Sequence, residues 1–142
     1  MQLFSQDTKA NALGRCSFFG QLSKGELREL AKVTEDMEVE EGKTLTRQGA
    51  SGSEFFVIVD GEVSVLKDGA DVRTLGPGDF FGEISLIEDR PRTATVTAKT
   101  PLRFFVLTRQ NFRRLLEKQP ELEDKVVSAL EERVRATADE IT

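Results

Sequence analysis

Phe80 to Thr97 read FFGEISLIEDRPRTATVT, and this order of residue types predicts a short helix, a loop ending in Pro-Arg and an alternating strand. Gly82 permits a tight entry into the helix and lets a ligand approach the backbone closely. The amides of Ile84 and Ser85 are expected to be free at the helix N-terminus, where free amides attract anions. The segment therefore predicts an anion site built largely from backbone.

Two charged side chains narrow the chemistry of this site. Arg92 offers a planar guanidinium that suits two phosphate oxygens, and Pro91 restricts the loop that carries it. Glu83 would repel a phosphate, so its expected partner is a neutral hydroxyl, such as that of a sugar. Together they predict a pocket for a phosphate fused to a ribose. The alternative, a Glu83–Arg92 salt bridge of purely structural value, leaves the glycine and the free amides unexplained.

The segments FGEISL at 81–86 and PRTATV at 91–96 resemble the phosphate-binding cassette of the cyclic nucleotide-binding domain family. This family includes bacterial catabolite activator proteins, regulatory subunits of cyclic-AMP-dependent kinase and cyclic-nucleotide-gated channels. The resemblance extends over about residues 17–136, although only the cassette is motif-specific.

The resemblance implies a role for each residue of the cassette. Glu83 would accept a hydrogen bond from the ribose 2′-hydroxyl. Arg92, rather than the solvated Arg90, would hold the exocyclic phosphate oxygens. Backbone amides would complete the cradle, and the amide of Ser85 is expected to matter more than its hydroxyl. The implied ligand-binding residues are Gly82, Glu83, Ile84, Ser85, Arg92, Thr93 and Ala94.

The identity of the nucleotide depends on Thr93. In cyclic-GMP-dependent kinases a threonine at this position contacts the guanine amino group, whereas many kinase-type cyclic-AMP sites have alanine. Bacterial and channel members carry threonine and still respond to cyclic AMP. The sequence therefore favours cyclic AMP over cyclic GMP, although a β-branched strand residue also explains Thr93.

The resemblance also suggests where a base would lie. Val65 and Arg73 fall near the base position, and Arg133 falls where some channel members place a base-capping arginine. Leu130 or Thr137 could share that role. Ordinary core packing explains Val65 equally well, and ordinary exposed arginines on charged surfaces explain the other two positions.

Length and charge limit the functions open to the chain. The 142 residues fit one domain, and the net charge of −5 argues against a general nucleic-acid or anionic-membrane surface. The single cysteine, Cys16, has no partner for an internal disulfide, which fits a reducing compartment. Without a signal peptide or a long apolar run, a cytoplasmic protein is expected.

The absence of histidine argues against an enzyme. It excludes histidine bases, serine–histidine–acid triads and histidine metal sites, so no catalytic residue and no metal are expected. The ten phenylalanines must supply the whole aromatic core, because the chain has no Trp or Tyr.

The apolar pattern predicts a mainly β fold, an antiparallel β-roll or jelly roll with N-terminal helices, a short cassette helix and two C-terminal helices. Asp60-Gly61 between two apolar runs is a strong hairpin signal. Ser23 and Glu26 have the spacing of a capping box. Within a single domain of residues 1–142, we expect a helical segment at 1–35, a β-roll at 36–108 with the cassette at 80–96, and C-terminal helices at 109–142.

These expectations predict a nucleotide-gated allosteric sensor. Ligand binding would change the packing of Leu86 and Ile87 against Phe112 or Leu116, and the last helix would close over the base. Output would reach a protein partner or effector domain, because neither a helix-turn-helix nor a kinase or channel segment is visible. The alternative is an interaction module with a non-binding pocket, dimerising through the last helix. Exposed helix positions are expected for Arg109, Arg113 and Arg114.

Overall fold

The computed structural model describes the backbone of residues 5–141 and the side chains of residues 5–136. Eight strands in this part of the chain form two antiparallel four-stranded sheets. In spatial order, the first sheet contains β1 (Glu35–Val39), β8 (Leu102–Thr108), β3 (Glu54–Asp60) and β6 (Phe80–Phe81). The second contains β2 (Thr44–Thr46), β7 (Thr95–Ala98), β4 (Val63–Lys67) and β5 (Ala70–Leu75).

Helices flank the sheets on both sides in sequence, as predicted. The N-terminal part has α1 (Gln6–Gly14), a 3-10 turn (Ser17–Phe19) and α2 (Lys24–Lys32). The C-terminal part has α3 (Arg109–Lys118) and α4 (Glu121–Ile141). The predicted mainly β fold with flanking helices is therefore confirmed. No helix among the described residues is long and apolar enough to cross a membrane.

Local sequence signals determine where several elements begin and end. The capping box of α2 is present, since Ser23 Oγ accepts from Glu26 N at 3.1 Å and Glu26 Oε1 accepts from Ser23 N at 2.9 Å. Gly61 joins β3 to β4 with φ of 95°, a left-handed conformation that a side chain would strain. A Cβ at Gly61 would also overlap the carbonyl oxygen of Pro101. The predicted turn is present, but the predicted hairpin is wrong, because β3 and β4 belong to different sheets and do not pair with each other.

Strand β3 is buried on both faces, which explains its uninterrupted apolar run. Phe55 and Val57 pack against the helices, in what we call the helical core. Phe56 and Ile58 point the other way, into the core between the two sheets. Residues on opposite faces of one strand therefore connect the helices to the inside of the roll.

The predicted short cassette helix is present, and it is a 3-10 helix. Glu83–Leu86 is a 3-10 helix of four residues, preceded by Gly82 with φ of 82°. So short an element has little dipole of its own, and its contribution to anion binding must come from individual amides. That residues 1–142 form one domain stays a prediction.

Candidate functional site

A cavity of about 960 Å³ opens beside the cassette and the second sheet. All seven predicted ligand-binding residues line it, from Gly82 through Ser85 and from Arg92 through Ala94. Three of the predicted base contacts also line it, namely Val65, Arg73 and Arg133. The structure therefore brings together residues from β4, β5, the cassette and α4.

The cavity is positively charged although the whole chain is acidic. One carboxylate, that of Glu83, lies among its charged lining residues within the described part of the chain. The cations of the lining are Lys67, Arg73, Arg90, Arg92 and Arg133. Such a local surplus of positive charge attracts an anion even when the net charge is negative.

Arg92 is the most buried of these cations, and its contacts hold it at the cavity. Its Nη1 donates to Ser85 Oγ at 2.8 Å, and its Nη2 donates to the carbonyl oxygen of Glu54 at 3.0 Å. The Glu54 carboxylate lies 3.6 Å from Nη2, and only 9% of the Arg92 side chain is exposed. Burial lowers the pKa of Arg92, the carboxylate of Glu54 opposes this, and the charge of Arg109 adds to it. Because an arginine stays protonated in proteins, the site holds a partly desolvated positive charge.

Two glycines form a slot for the Arg92 guanidinium. A Cβ added to Gly52 would overlap the guanidinium, and one added to Gly82 would lie 2.8 Å from its Nη1. The backbone of the same loop also holds Arg92, because Arg92 N donates to Ala50 O and Gly49 N donates to Arg92 O, both at 2.8 Å. Sequence analysis assigned no role to Gly52. The only signal was the close spacing of glycines in residues 49–52, which did not say what they would face.

The prediction that Ser85 contributes a free amide is wrong. Its N–H donates to Gly82 O at 3.1 Å, because a 3-10 helix bonds each amide to the third residue before it. The Ser85 hydroxyl, expected to be less important, accepts the hydrogen bond from Arg92. Within residues 5–136, the amides of Ile84 and Ala94 have no acceptor and stay available to a ligand.

Glu83 pairs with Arg133 of α4 rather than with Arg92. Glu83 Oε1 accepts from Arg133 Nη2 at 2.8 Å and from Nε at 3.1 Å. The guanidinium carbon of Arg133 lies 5.3 Å from the ring centre of Phe80 and 5.7 Å from that of Phe18. The structure thus links the cassette, the last helix and the N-terminal 3-10 turn through one arginine.

Arg109, expected on an exposed helix surface, is buried against the cassette. Its Nε donates to Ser85 O at 2.9 Å, and its Nη2 donates to Gly52 O at 3.1 Å. Only 14% of its side chain is exposed, whereas Arg113 and Arg114 are exposed as predicted. No motif in the sequence connects the first residue of α3 to positions 52 and 85, so this role was missed.

Arg90 is less solvated than expected. It lines the cavity, and its side chain is 30% exposed. Its Nε lies 3.9 Å from Glu88 Oε2, and its Nη1 is buried without a hydrogen-bond partner among the described residues. Arg90 and Arg92, which precede and follow Pro91 in the sequence, therefore line the same cavity.

Besides Arg133, the four predicted base contacts fall into three groups. Val65 and Arg73 are opposite each other in the β4–β5 ladder, and the exposed Val72 lines the cavity beside them. Leu130 is fully buried in the helical core, so the structure corrects its expected position at the cavity. Thr137 lies in α4, and its side chain is outside the described residues.

Comparison with known proteins identifies the family of the chain. The family model described as the cyclic nucleotide-binding domain matches residues 36–119, which is more than half of the chain. The match begins at the second residue of β1 and includes the remaining strands, the cassette and all of α3. The chain belongs to the cyclic nucleotide-binding domain family, so the family resemblance inferred from the cassette is confirmed.

Solved structures of related proteins share the fold. A cyclic nucleotide-binding-like protein from Brucella abortus is 30% identical with a TM-score of 0.73, over 78% of this chain and 99% of that one. The N-terminal domain of a transcriptional regulator from Streptomyces coelicolor is 27% identical with a TM-score of 0.80, over 92% and 95%. The cAMP-bound PfPKA-R fragment has the same fold at 23% identity and a TM-score of 0.68, over 94% of this chain and 47% of that one.

Proposed function

We propose that the protein binds a cyclic nucleotide in the cassette cavity and acts as an allosteric sensor or regulatory module, preferring cyclic AMP to cyclic GMP. The observation that carries this proposal is the buried guanidinium of Arg92, held in a slot between two glycines and facing the cavity. Family membership supports the ligand class. No catalytic role is proposed for any residue.

The phosphate is expected to bind at Arg92. Ser85 and Glu54 each take one N–H of the guanidinium, which leaves its other N–H groups for the ligand. The amides of Ile84 and Ala94 supply neutral donors beside it. Because the guanidinium is already fixed and partly desolvated, a phosphate gains charge-assisted hydrogen bonds without first ordering the side chain.

Sugar and base would occupy the remainder of the cavity. Glu83 lies at its edge and accepts the ribose 2′-hydroxyl in this proposal. Val65, Val72 and Arg73 form a half-apolar wall on which a base could lie. Thr93 also lines the cavity and is exposed. The preference for cyclic AMP rests on the resemblance to bacterial and channel members that carry threonine at that position.

The regulatory part of the proposal follows from what lies behind the cassette. Leu86 is fully buried in the helical core together with Phe112 of α3. A groove of about 520 Å³, lined by Ile87 and Leu116 among others, opens where the cassette helix, α3 and α4 meet. A ligand that displaces the cassette changes this packing and therefore the positions of α3 and α4. It shifts the equilibrium between the two helix arrangements only to the extent that it binds one of them more tightly than the other.

The output of such a module is a protein partner, an effector domain or a second copy that contacts the C-terminal helices. The protein would act in the cytoplasm, where the messenger is found.

Isothermal titration with both nucleotides tests the proposal. We expect cyclic AMP to bind more tightly than cyclic GMP, and Arg92→Ala to weaken binding by about tenfold to a hundredfold or more, since charge-assisted hydrogen bonds are lost. Arg114→Ala removes an exposed arginine of α3 and serves as the matched control. An Arg92→Ala variant that binds as tightly as the wild type would refute the site.

The alternative function is an interaction module with a non-binding pocket. Thermal melting separates the two, because a ligand at a hundred times its Kd stabilises the folded state by about 2.7 kcal/mol. For a chain of this size, that corresponds to a Tm increase of roughly 5–15 °C. No Tm change with either nucleotide supports the interaction module.

A further inference from the structure

The two hydrogen bonds between Arg133 and Glu83 reach the same carboxylate oxygen. Both Nη2 and Nε of Arg133 donate to Oε1, at 2.8 and 3.1 Å. From residues 5–136 no hydrogen bond reaches Oε2 of Glu83, and that oxygen is not buried. Glu83 lines the cavity, so its second oxygen remains for another donor.

The position of Arg133 is itself defined by packing. Its guanidinium lies against the rings of Phe80 and Phe18, and such cation–π contacts favour one orientation of the plane. Glu83 is 15% exposed and Arg133 39% exposed, so the pair is partly shielded from water at its carboxylate end. A carboxylate that accepts two hydrogen bonds from one guanidinium has less rotational freedom than a solvated carboxylate.

The pair also removes an electrostatic conflict. Glu83 lies one residue after Gly82 and one before Ile84, next to the groups that would bind phosphate. An unpaired carboxylate there would repel the anion, whereas the Arg133 charge offsets its field at short range. Arg133 therefore makes the neighbourhood of the phosphate compatible with an acidic residue.

We propose that Arg133 is a positioning residue for sugar recognition, which takes Oε1 of Glu83 and thereby presents Oε2 to the ribose 2′-hydroxyl. This inference rests on the proposed function and goes beyond it. Arg133 was expected to contact the base, and here it acts on the sugar through Glu83 instead. The docking of α4 and the recognition of ribose are then coupled through one carboxylate.

A comparison of two ligands isolates this role. Titrations with cyclic AMP and with its 2′-deoxy analogue give the contribution of the 2′-hydroxyl as a ratio of Kd values. In the wild type we expect a ratio of about ten to a hundred, as for a hydrogen bond to a charged acceptor. In Arg133→Ala we expect the ratio to fall to about three or less, because the affinity for the deoxy analogue falls by a smaller factor than the affinity for cyclic AMP.

Matched variants make the result specific. Arg135→Ala removes an exposed arginine from the same helix and should leave the ratio unchanged. Arg133→Lys keeps the charge but offers a single ammonium in place of the fork, so an intermediate ratio is expected. If Arg133→Ala does not fold, Arg133→Met retains the apolar stem over Phe80 and replaces it in the titrations.

Three results would overturn the inference. Equal weakening of both ligands in Arg133→Ala would show that the arginine acts on the base or on overall stability. Tighter binding of cyclic AMP by Arg133→Ala would show that the arginine competes with the ribose. An unchanged ratio would show that Glu83 needs no positioning. Absence of binding by the wild type refutes the proposed function itself, and the inference falls with it.

Discussion

Arg109 Nε donates to the backbone carbonyl of Ser85 at 2.9 Å, so the first residue of α3 holds the cassette helix directly. Ser85 meanwhile accepts from Arg92 through its hydroxyl. The buried Ser85 therefore accepts hydrogen bonds from two guanidinium groups, that of Arg92 at the cavity and that of Arg109 behind the cassette. Because the second belongs to α3, a displacement of the cassette and a displacement of α3 cannot be independent.

Replacing Arg109 should weaken both the fold and the site. Arg109→Ala leaves the carbonyls of Ser85 and Gly52 without their donor, which costs about 1–3 kcal/mol of unfolding free energy. We expect nucleotide affinity to fall by about tenfold, because the Ser85 contact to Arg92 is no longer fixed. Urea unfolding and isothermal titration measure the two effects. Arg114→Ala is the control, and equal behaviour of the two variants would contradict the assignment.

Adding one methyl group at Gly52 should damage the site without straining the backbone. Gly52 has no positive φ, yet a Cβ there would overlap the Arg92 guanidinium. We expect Gly52→Ala to reduce nucleotide affinity by about tenfold or more, because Arg92 must leave its slot. Gly76→Ala is a matched control, since a Cβ at Gly76 meets nothing within 4 Å. If Gly52→Ala bound the nucleotide with the same Kd as the wild type, the Arg92 guanidinium would not need this slot to bind the ligand.

Glu26 should contribute to the free energy of unfolding at neutral pH but not in acid. The hydrogen bond from Lys125 of α4, followed by that from the Ser23 amide, holds the pKa of Glu26 below its usual 4.5. A lowered folded-state pKa means that the stabilisation is present above about 4.5 and is lost as pH falls through the lower value. Urea unfolding of wild type and Glu26→Gln should thus differ most near neutral pH and converge in acid. A constant difference across pH would argue against this pair as the source.

Cys16 should be unreactive in the folded protein. Burial, and then the negative charge of Glu83, raise the pKa of its thiol to about 12, while Arg133 opposes the rise. The side chain is 1% exposed, so both the thiolate fraction and access are small at pH 8. A disulfide reagent should label Cys16 only at the rate of unfolding. Rapid labelling of the native protein would show that the 3-10 turn beside it opens readily.

Sequence analysis located the cassette because its residues are close in the chain and each has a distinctive chemistry. Gly82, Glu83 and Arg92 are such residues, and all three line one cavity. The element types followed from local signals in the same way, with capping at Ser23 and a turn at Gly61. What the segment could not show was the kind of helix, because a 3-10 and an α-helical turn of four residues have nearly the same sequence requirements.

The contacts that complete the site come from distant positions and could not be read from spacing. Arg109 reaches Ser85 because β8, which leads into α3, lies beside β3 in the first sheet. Gly52 and Glu54 reach Arg92 because the loop before β3 pairs with the backbone of Arg92. The Glu83–Arg133 pair requires α4 to cross the cassette, which apolar periodicity does not specify. Sequence therefore predicted the groups that face the cavity better than the groups that hold them.

The backbone pairing of Arg92 with Gly49 and Ala50 has a consequence for any attempt to move the cassette into another protein. A peptide comprising residues 80–97 alone would carry the guanidinium but not the segment whose backbone is hydrogen-bonded to Arg92. A graft that transfers residues 49–54 together with the cassette keeps both of these segments. The smallest transplantable recognition unit is thus discontinuous, and its second half is the loop that enters β3.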